Sequence, residues 1–256
     1  MNTEYELYDQ IGAVDVYFES KQQSKIEYRL SKYYKQFEKD IEILNKYINH
    51  NVRLFIDLKQ TEEYGGYAKL IKPKIFSRDE PTYDVSITTE TMDCIIHEFG
   101  HVIDRVSSKE QYSKQKDFKP MLDTHKTAIK EKIKSIKESD MPAETKRKHI
   151  AYWNSPYRNG NAPSEIFARY CEYYLKERES LTFTMRKYTT FDRFCHRQYQ
   201  QNKQQIDEYF DKLFEDILTT EIDTNIDEDI DEEEFRYSIE TIDSEYKQIN
   251  NECLIC

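Results

Sequence analysis

The chain has 256 residues, of which 38% are hydrophobic, and a net charge of −11. Residues 219–256 hold 13 Asp/Glu against 2 Lys/Arg, so the acidity is local and the preceding 218 residues are neutral overall. A neutral body lacks the basic face that nucleic-acid binding requires, and only five Gly and six Pro disfavour a turn-rich β-sandwich.

Five cysteines are present, with no spacing typical of a disulfide framework or a Cys-x-x-Cys metal site. Reduced thiols, and therefore a cytosolic working environment, are expected. The first residues, MNTEYELYDQIG, have no basic segment followed by an apolar run. We therefore expect no signal peptide, so that any export, for instance into a host cell, would use another route. No apolar stretch approaches the length of a membrane span, and we expect a monomer without stable membrane insertion.

Residues 1–50 are predicted to form a helical segment packed on the core, because apolar residues recur at steps of three and four from Ser20 to Asn49. Four short strands are predicted next. They are VRLFIDL, then YAKLI after the Gly-Gly turn, then KIFS, and finally YDVSIT. The stretch TMDCIIHEFGHVID then reads as a helix capped by a preceding threonine.

Downstream, charged helices are predicted over Pro120–Ser139 and Pro142–Trp153, followed by a loop, SPYRNGNAP. Further helices are predicted from Pro163 onward and over roughly Asn202–Leu218. Residues 51–218 are therefore interpreted as one domain of the α+β class, mainly helical, with a small mixed sheet and a charged helical insertion at 109–150. The acidic tail, 219–256, is expected to be mobile.

The motif HEFGH offers the chemistry of a zinc site. His97 and His101 are four residues apart, so a helix presents both imidazoles on one face. Zinc favours such nitrogen ligands, and a catalytic zinc keeps one position for water. Glu98 lies about 100° around the helix from His97, where it can act as the general base toward that water. A satisfied structural pair of histidines is the alternative.

Other residues complete or surround the site in this interpretation. Asp104 is expected to hydrogen-bond a ligand histidine and fix its tautomer, or else to be a solvated acid. The histidines at positions 125 and 149 lie in very charged segments and are interpreted as solvated. Glu165 is the better candidate for the third ligand, because a helix N-terminus stabilises its ionised form. The alternative is an ordinary first-turn glutamate.

The segments YGGYA, YDVSIT, HEFGHVID and PSEIFARYCEYY occur in the order found in the anthrax lethal factor-like metallopeptidases, which include the Pro-Pro endopeptidases. The chain resembles this gluzincin group over about residues 64–175. The resemblance implies a zincin-like fold and a zinc ion held by His97, His101 and Glu165, with Glu98 as the base. It also implies an oxyanion-stabilising tyrosine, for which Tyr157 is the nearest match and Tyr152 the second choice.

The sequence departs from the group in the charged insertion and at Arg169, where many relatives carry an acidic residue. The family implies a zinc endopeptidase, and small members are often bacterial toxins or effectors that act on host cytosolic proteins. YDVSIT is predicted to be the edge strand that pairs with an extended protein substrate. The alternatives are a catalytically degenerate zincin that binds a protein partner, and a helical protein without metal.

Overall fold

The structure is a computed structural model that describes residues 4–48, 50–58, 66–71, 82–106, 110–182 and 189–219, apart from the side chain of Tyr157. These residues form a mixed α+β fold in which helices predominate over a small mixed sheet, as the sequence predicts. The predicted strand KIFS and the acidic tail after Thr219 lie outside the described residues. Among the helices described, none is both long enough and apolar enough to cross a bilayer.

In the part of the chain that the structure describes, the sheet has five strands in the order β1-β2-β3-β5-β4. Strands β2, β3 and β5 run parallel to one another, and the two outer strands, β1 and β4, each pair antiparallel with their neighbour. The strands are β1 (Tyr5–Ile11), β2 (Val14–Glu19), β3 (Asn51–Asp57), β4 (Gly66–Ile71) and β5 (Thr82–Thr88). YDVSIT therefore lies inside the sheet, between β3 and β4, and the prediction that it is the edge strand is wrong.

Strands β1 and β2 form a β-hairpin where a helical segment was predicted for 1–50. Gly12, at φ 62°, makes the turn between β1 and β2. The Asn45 side chain fills the space beside it and accepts a hydrogen bond from the Ala13 amide at 2.9 Å. A Cβ on Gly12 would lie 2.1 Å from Asn45 Nδ2, so this turn requires glycine both for its backbone angle and for its space.

Helices follow the hairpin and make up most of the chain. The predicted helix of residues 20–49 is divided at Ser31–Tyr33 into two, α1 and α2. The helices are α1 (Gln23–Leu30), α2 (Tyr34–Asn45), α3 (Ile95–Asp104), α4 (Lys119–Glu138), α5 (Ala143–Asn154), α6 (Pro156–Asn159), α7 (Pro163–Glu179), α8 (Thr190–Gln201) and α9 (Lys203–Thr219). Helices α1 and α2 connect the parallel strands β2 and β3, as a crossover connection requires.

One face of the sheet is buried against helices, because apolar residues alternate along the central strands. Helix α3, which carries HEFGH, lies against β4 and β5 on one side and α7 on the other. Helix α7 is buried over every residue from Glu165 to Leu175, so it is a core helix on all its faces. Two buried helices in direct contact therefore carry the predicted ligands.

The helices of the predicted insertion, α4 and α5, also contribute to the core. Ile129 and Trp153 are nearly inaccessible to solvent, and the Trp153 ring contacts Phe191 and Phe194 of α8. The charged residues of α4 and α5 therefore cover one side of these helices, while their apolar side packs on the remainder of the domain.

A close crossing of α3 and α7 sets the position of the site. A Cβ on Gly100 would lie 2.9 Å from Cα and 3.0 Å from the carbonyl oxygen of Ala168. Because these are backbone atoms, no side-chain rotation can relieve the contact. The glycine inside HEFGH thus lets the two helices approach within backbone contact, which brings the first turn of α7 to the two histidines.

Gly100→Ala is expected to destabilise the protein by about 1–3 kcal/mol, the usual cost of overpacking, although alanine favours a helix over glycine by about 1 kcal/mol. The measurement is urea unfolding of the variant and the wild type. The double variant Gly100→Ala/Ala168→Gly is expected to recover little, since the clash involves the backbone of Ala168. A single variant as stable as the wild type would contradict the proposed crossing.

Candidate metal centre

The two histidines of α3 lie side by side and largely out of solvent. Their ring centroids are 4.9 Å apart and their planes are at 83° to each other. The side chain of His97 is 6% exposed and that of His101 14% exposed, so the second ring alone retains some access to solvent. Four-residue spacing on a helix places both rings on one face, as the sequence predicts.

Glu165, in the first turn of α7, places its carboxylate between the two rings. Its Oε1 lies 3.2 Å from His97 Nε2 and its Oε2 lies 3.4 Å from His101 Nε2. Three atoms bound at about 2.0–2.1 Å around a tetrahedral ion would lie about 3.3 Å from one another. Ligand atoms of the three residues all fall within 4.8 Å of one another. This buried group can hold a metal ion.

Charge and burial favour the metal-binding forms of Glu165 and His97, whereas Glu165 favours the protonated form of His101. Burial would raise the pKa of Glu165, but the neighbouring His97 and Arg169 outweigh it and hold that pKa well below the usual range. Burial lowers the pKa of His97 to about 4. An ionised carboxylate and a neutral imidazole are the forms that bind a metal ion. Burial alone would lower the pKa of His101, but the hydrogen bond and charge of Glu165 raise it.

Glu98 is buried next to the group, against strand β4. A Cβ on Gly66 would lie 3.0 Å from Glu98 Oε1 and 3.1 Å from its Cγ, so the glycine at the start of β4 leaves room for this side chain. Burial raises the pKa of Glu98 to about 7, with the nearby His101 acting in the opposite direction. A carboxylate whose pKa is near neutrality suits the role of a general base.

Asp104 acts on His101 through an intermediary. Its buried carboxylate accepts hydrogen bonds from the Ser113 amide at 2.6 Å and the Ser113 hydroxyl at 2.8 Å. Burial raises the pKa of Asp104, and a further hydrogen bond, from Ser164, acts in the opposite direction. The Ser164 hydroxyl lies 3.0 Å from His101 Nδ1. The predicted direct bond from Asp104 to a histidine is thus replaced by a connection through Ser164, a residue that was not predicted as part of the site.

Three further charged residues near the group were not predicted as parts of the site. Arg169 and Glu172 are buried one and two turns along α7 from Glu165, and Asp192 is buried at the start of α8. Arg169 contacts both Glu165 and Asp192. Glu172 Oε2 lies 4.0 Å from His97 Nδ1. The spacing of Arg169 and Glu172 from Glu165 along a buried helix was the available signal for these two residues, because charged residues are rarely buried without a partner.

No family model, no curated protein and no solved structure matches this chain.

Of the two candidates for the oxyanion tyrosine, the structure describes the side chain of one. Tyr157 lies in the short helix α6, and its side chain is outside the described residues. Tyr152, the second choice, lies on α5 with the guanidinium of Arg158 3.8 Å from its ring centroid. Arg158 also donates to the Tyr152 carbonyl and to the Ser155 hydroxyl, so this ring forms part of a packed cluster.

His125 is buried, and the interpretation of this residue as solvated is wrong. Its Nε2 lies 2.9 Å from the Arg158 carbonyl, and its ring packs edge-on against Phe191 and Phe194. Burial lowers the pKa of His125 to about 4. His149, by contrast, is half-buried on α5. The charged residues around position 125 occupy the outer side of α4, whereas His125 points inward.

His125 is expected to weaken the fold in acid. Its pKa in the folded chain is below the value of about 6.5 for an unfolded chain. The unfolded state therefore gains the proton first, and stability falls as the pH decreases from about 6.5 toward 4. At pH 5 the free energy of unfolding is lower by about 2 kcal/mol, because each pH unit below about 6.5 costs about 1.4 kcal/mol. Urea unfolding with chelator at pH 7.5 and 5 measures it. His125→Gln should lose less stability between these pH values than His149→Gln, and equal losses would contradict the assignment.

Proposed function

We propose that the protein is a zinc-dependent endopeptidase. The observation that carries this proposal is the convergence of His97, His101 and Glu165 from two buried helices, with the Glu98 carboxylate beside them. Two imidazole nitrogens and one carboxylate are a donor set that suits zinc, and three protein ligands leave a position for water or substrate. A purely structural zinc site would more commonly use four protein ligands.

When bound, zinc supplies Lewis acidity toward a carbonyl oxygen and lowers the pKa of a bound water. Glu98 accepts a proton from the attacking water on its carboxylate as the water oxygen bonds to the scissile carbonyl carbon. It then passes that proton to the amide nitrogen as the carbon–nitrogen bond breaks. Ser164 and Asp104 hold the orientation of the His101 ring during these steps, and the hydrophobic residues around α3 exclude bulk water.

The substrate is proposed to be a protein segment bound as an extended strand. Within the described part of the sheet, β4 pairs with β5 on one side and has no strand on the other. Gly66, at the start of β4, leaves room for the Glu98 side chain, so an added strand along β4 would pass the catalytic group. Main-chain hydrogen bonds to a sheet edge supply affinity without demanding a particular sequence. This proposal moves the substrate strand from β5 to β4.

The resemblance to the lethal factor-like group also supports a proposal for the biological role of the protein. A bacterial toxin or effector would cleave a host cytosolic protein of signalling or cytoskeletal function. The alternative is a degenerate zincin that binds a protein partner without cleaving it. Both alternatives predict bound zinc, so they are separated by cleavage and not by metal content.

Profiling of new protein N-termini tests the proposal. Intact protein and Glu98→Ala are expressed in the same host cells, and the termini created by each are compared by mass spectrometry. We expect a set of termini that is present with the intact protein and absent with Glu98→Ala, while both proteins bind zinc. Identical sets of termini, with zinc bound in both, would favour the binding alternative over the endopeptidase.

A further inference from the structure

A buried arginine joins the candidate metal centre to a third helix. Arg169, on α7, lies with its Nε 3.0 Å from Glu165 Oε1 and its Nη1 2.6 Å from Asp192 Oδ1 on α8. The side chains of the three residues are between 3% and 8% exposed. The contact with Glu165 is a charge-assisted hydrogen bond, which is among the stronger and more directional contacts in proteins, and the contact with Asp192 is a close ion pair.

Asp192 is itself held in place by the start of α8. Its Oδ2 accepts hydrogen bonds from the Thr189 amide at 2.8 Å and the Thr189 hydroxyl at 2.7 Å. The Asp192 amide donates to the Thr189 hydroxyl at 3.1 Å, which completes a capping box. One carboxylate oxygen of Asp192 thus anchors the helix start, and the other anchors Arg169. Arg169 therefore has a fixed support on the side away from Glu165.

The two oxygens of Glu165 are consequently not equivalent. Oε1 accepts the Nε–H of Arg169 in addition to lying 3.2 Å from His97 Nε2, whereas Oε2 lies 3.4 Å from His101 Nε2. A cation beside a metal ligand repels a bound dication, and a buried arginine costs free energy unless it is paired. Its hydrogen bond engages one oxygen of Glu165 and so provides a geometric reason for an arginine at this position.

We propose that Arg169, supported by Asp192, is a positioning residue that holds Glu165 by Oε1 so that this carboxylate meets the metal ion through Oε2 alone. This inference rests on the metal centre of the proposed function. A carboxylate bound through one oxygen leaves the centre four-coordinate with its water, whereas a carboxylate bound through both oxygens would add a fifth ligand atom and crowd the position of the water or the substrate carbonyl. Arg169 would in this way keep the centre open for reaction.

Zinc binding by the full chain and its variants tests the role of Arg169. Arg169→Gln removes both the charge and the contacts, and Arg169→Lys keeps the charge without the two-pronged geometry. Both variants are expected to bind zinc about 10- to 100-fold more weakly, the usual loss when a partner of a ligand is removed. X-ray absorption of the zinc-loaded proteins is expected to give a coordination number that rises from about four to about five in both variants, as Glu165 turns to bind through two oxygens.

Arg178→Gln is the matched control. Arg178 lies on the same helix, but its pair with Asp211 is half exposed, so zinc affinity and coordination should stay at wild-type values. Asp192→Asn keeps an oxygen for the helix cap and weakens the support of Arg169. Asp192→Asn should change the zinc affinity and the coordination number in the same direction as Arg169→Gln does. It provides the test if Arg169→Gln fails to fold.

The outcomes separate this inference from the proposed function. Wild-type affinity and coordination in the two Arg169 variants would overturn the positioning role while leaving the metal centre intact. Weakened binding in Arg169→Gln but not in Arg169→Lys would show that charge alone matters, and it would overturn the role equally. A wild-type chain that binds no zinc would overturn the metal centre and the inference together.

Discussion

Glu98→Gln is expected to lower kcat for peptide cleavage by about 10²- to 10⁴-fold, the range that general acid–base catalysis contributes. Zinc content should stay at the wild-type level, because Glu98 lies beside the ligand group and is not a member of it. The amide is close in shape to the carboxylate but does not accept a proton at neutral pH. Turnover of a peptide substrate identified by terminus profiling, together with elemental analysis, measures both quantities.

The matched control for this variant is Glu90→Gln. Glu90 lies at the surface shortly before α3 and pairs with Arg29 across exposed side chains, so its substitution should leave kcat unchanged. Wild-type turnover by Glu98→Gln would contradict the assignment of the base. Loss of zinc by Glu98→Gln would instead place this residue among the groups on which metal binding depends.

Glu165→Ala is expected to weaken zinc binding by more than about 100-fold, because the loss of even a ligand's hydrogen-bond partner costs about 10- to 100-fold. Activity at limiting zinc should fall in parallel. The measurement is competition with a chelator of known affinity for zinc. The variant should remain folded in the absence of metal. Glu165→Ala removes two contacts to histidines and the hydrogen bond from Arg169, but Arg169 keeps Asp192 as a partner and the apolar packing of α7 is not opened.

Glu177→Ala serves as the control on the same helix. Glu177 pairs with Lys203 at the surface, and its loss should not change zinc affinity. Equal affinities of Glu165→Ala and the wild type would show that this carboxylate is not a ligand, whatever its position in the metal-free protein. The two histidines would then lack the third protein ligand on which the peptidase proposal depends.

Local periodicity was enough to predict much of the centre. Four-residue spacing places His97 and His101 on one helical face in any α-helix, whatever surrounds it. The first-turn position of Glu165 in an apolar helix could also be identified from the sequence. The distance between α3 and α7 could not be predicted from local periodicity, because it depends on the contact of Gly100 with Ala168. No pattern near either residue identifies its partner 68 positions away.

The charged residues behind the ligands were missed for a related reason. In the sequence, Arg169 is indistinguishable from an ordinary helical arginine. Its role depends on the contact with Asp192 of α8, and α8 was not predicted. The capping box formed by Thr189 and Asp192 was the available sign of that helix. Ser164 and Ser113 are likewise meaningful only once the fold brings them to Asp104 and His101.

Two predictions about the sheet were wrong, and both errors can be explained. The hairpin of β1 and β2 carries a glycine turn and alternating buried residues at Val14, Val16 and Phe18, which together are a usable hairpin signal. The helical pattern that follows was extended over it. The interior position of β5 depends on which strands pair, and the pairing of β4 beyond β5 was not apparent from the strand sequences alone.

The most direct test of the metal centre is anomalous X-ray diffraction at the zinc edge from crystals of the zinc-loaded full chain. We predict a single strong peak about 2.0–2.1 Å from His97 Nε2, from His101 Nε2 and from a carboxylate oxygen of Glu165. A peak at another position, or no peak in protein that has been exposed to excess zinc, would contradict the account.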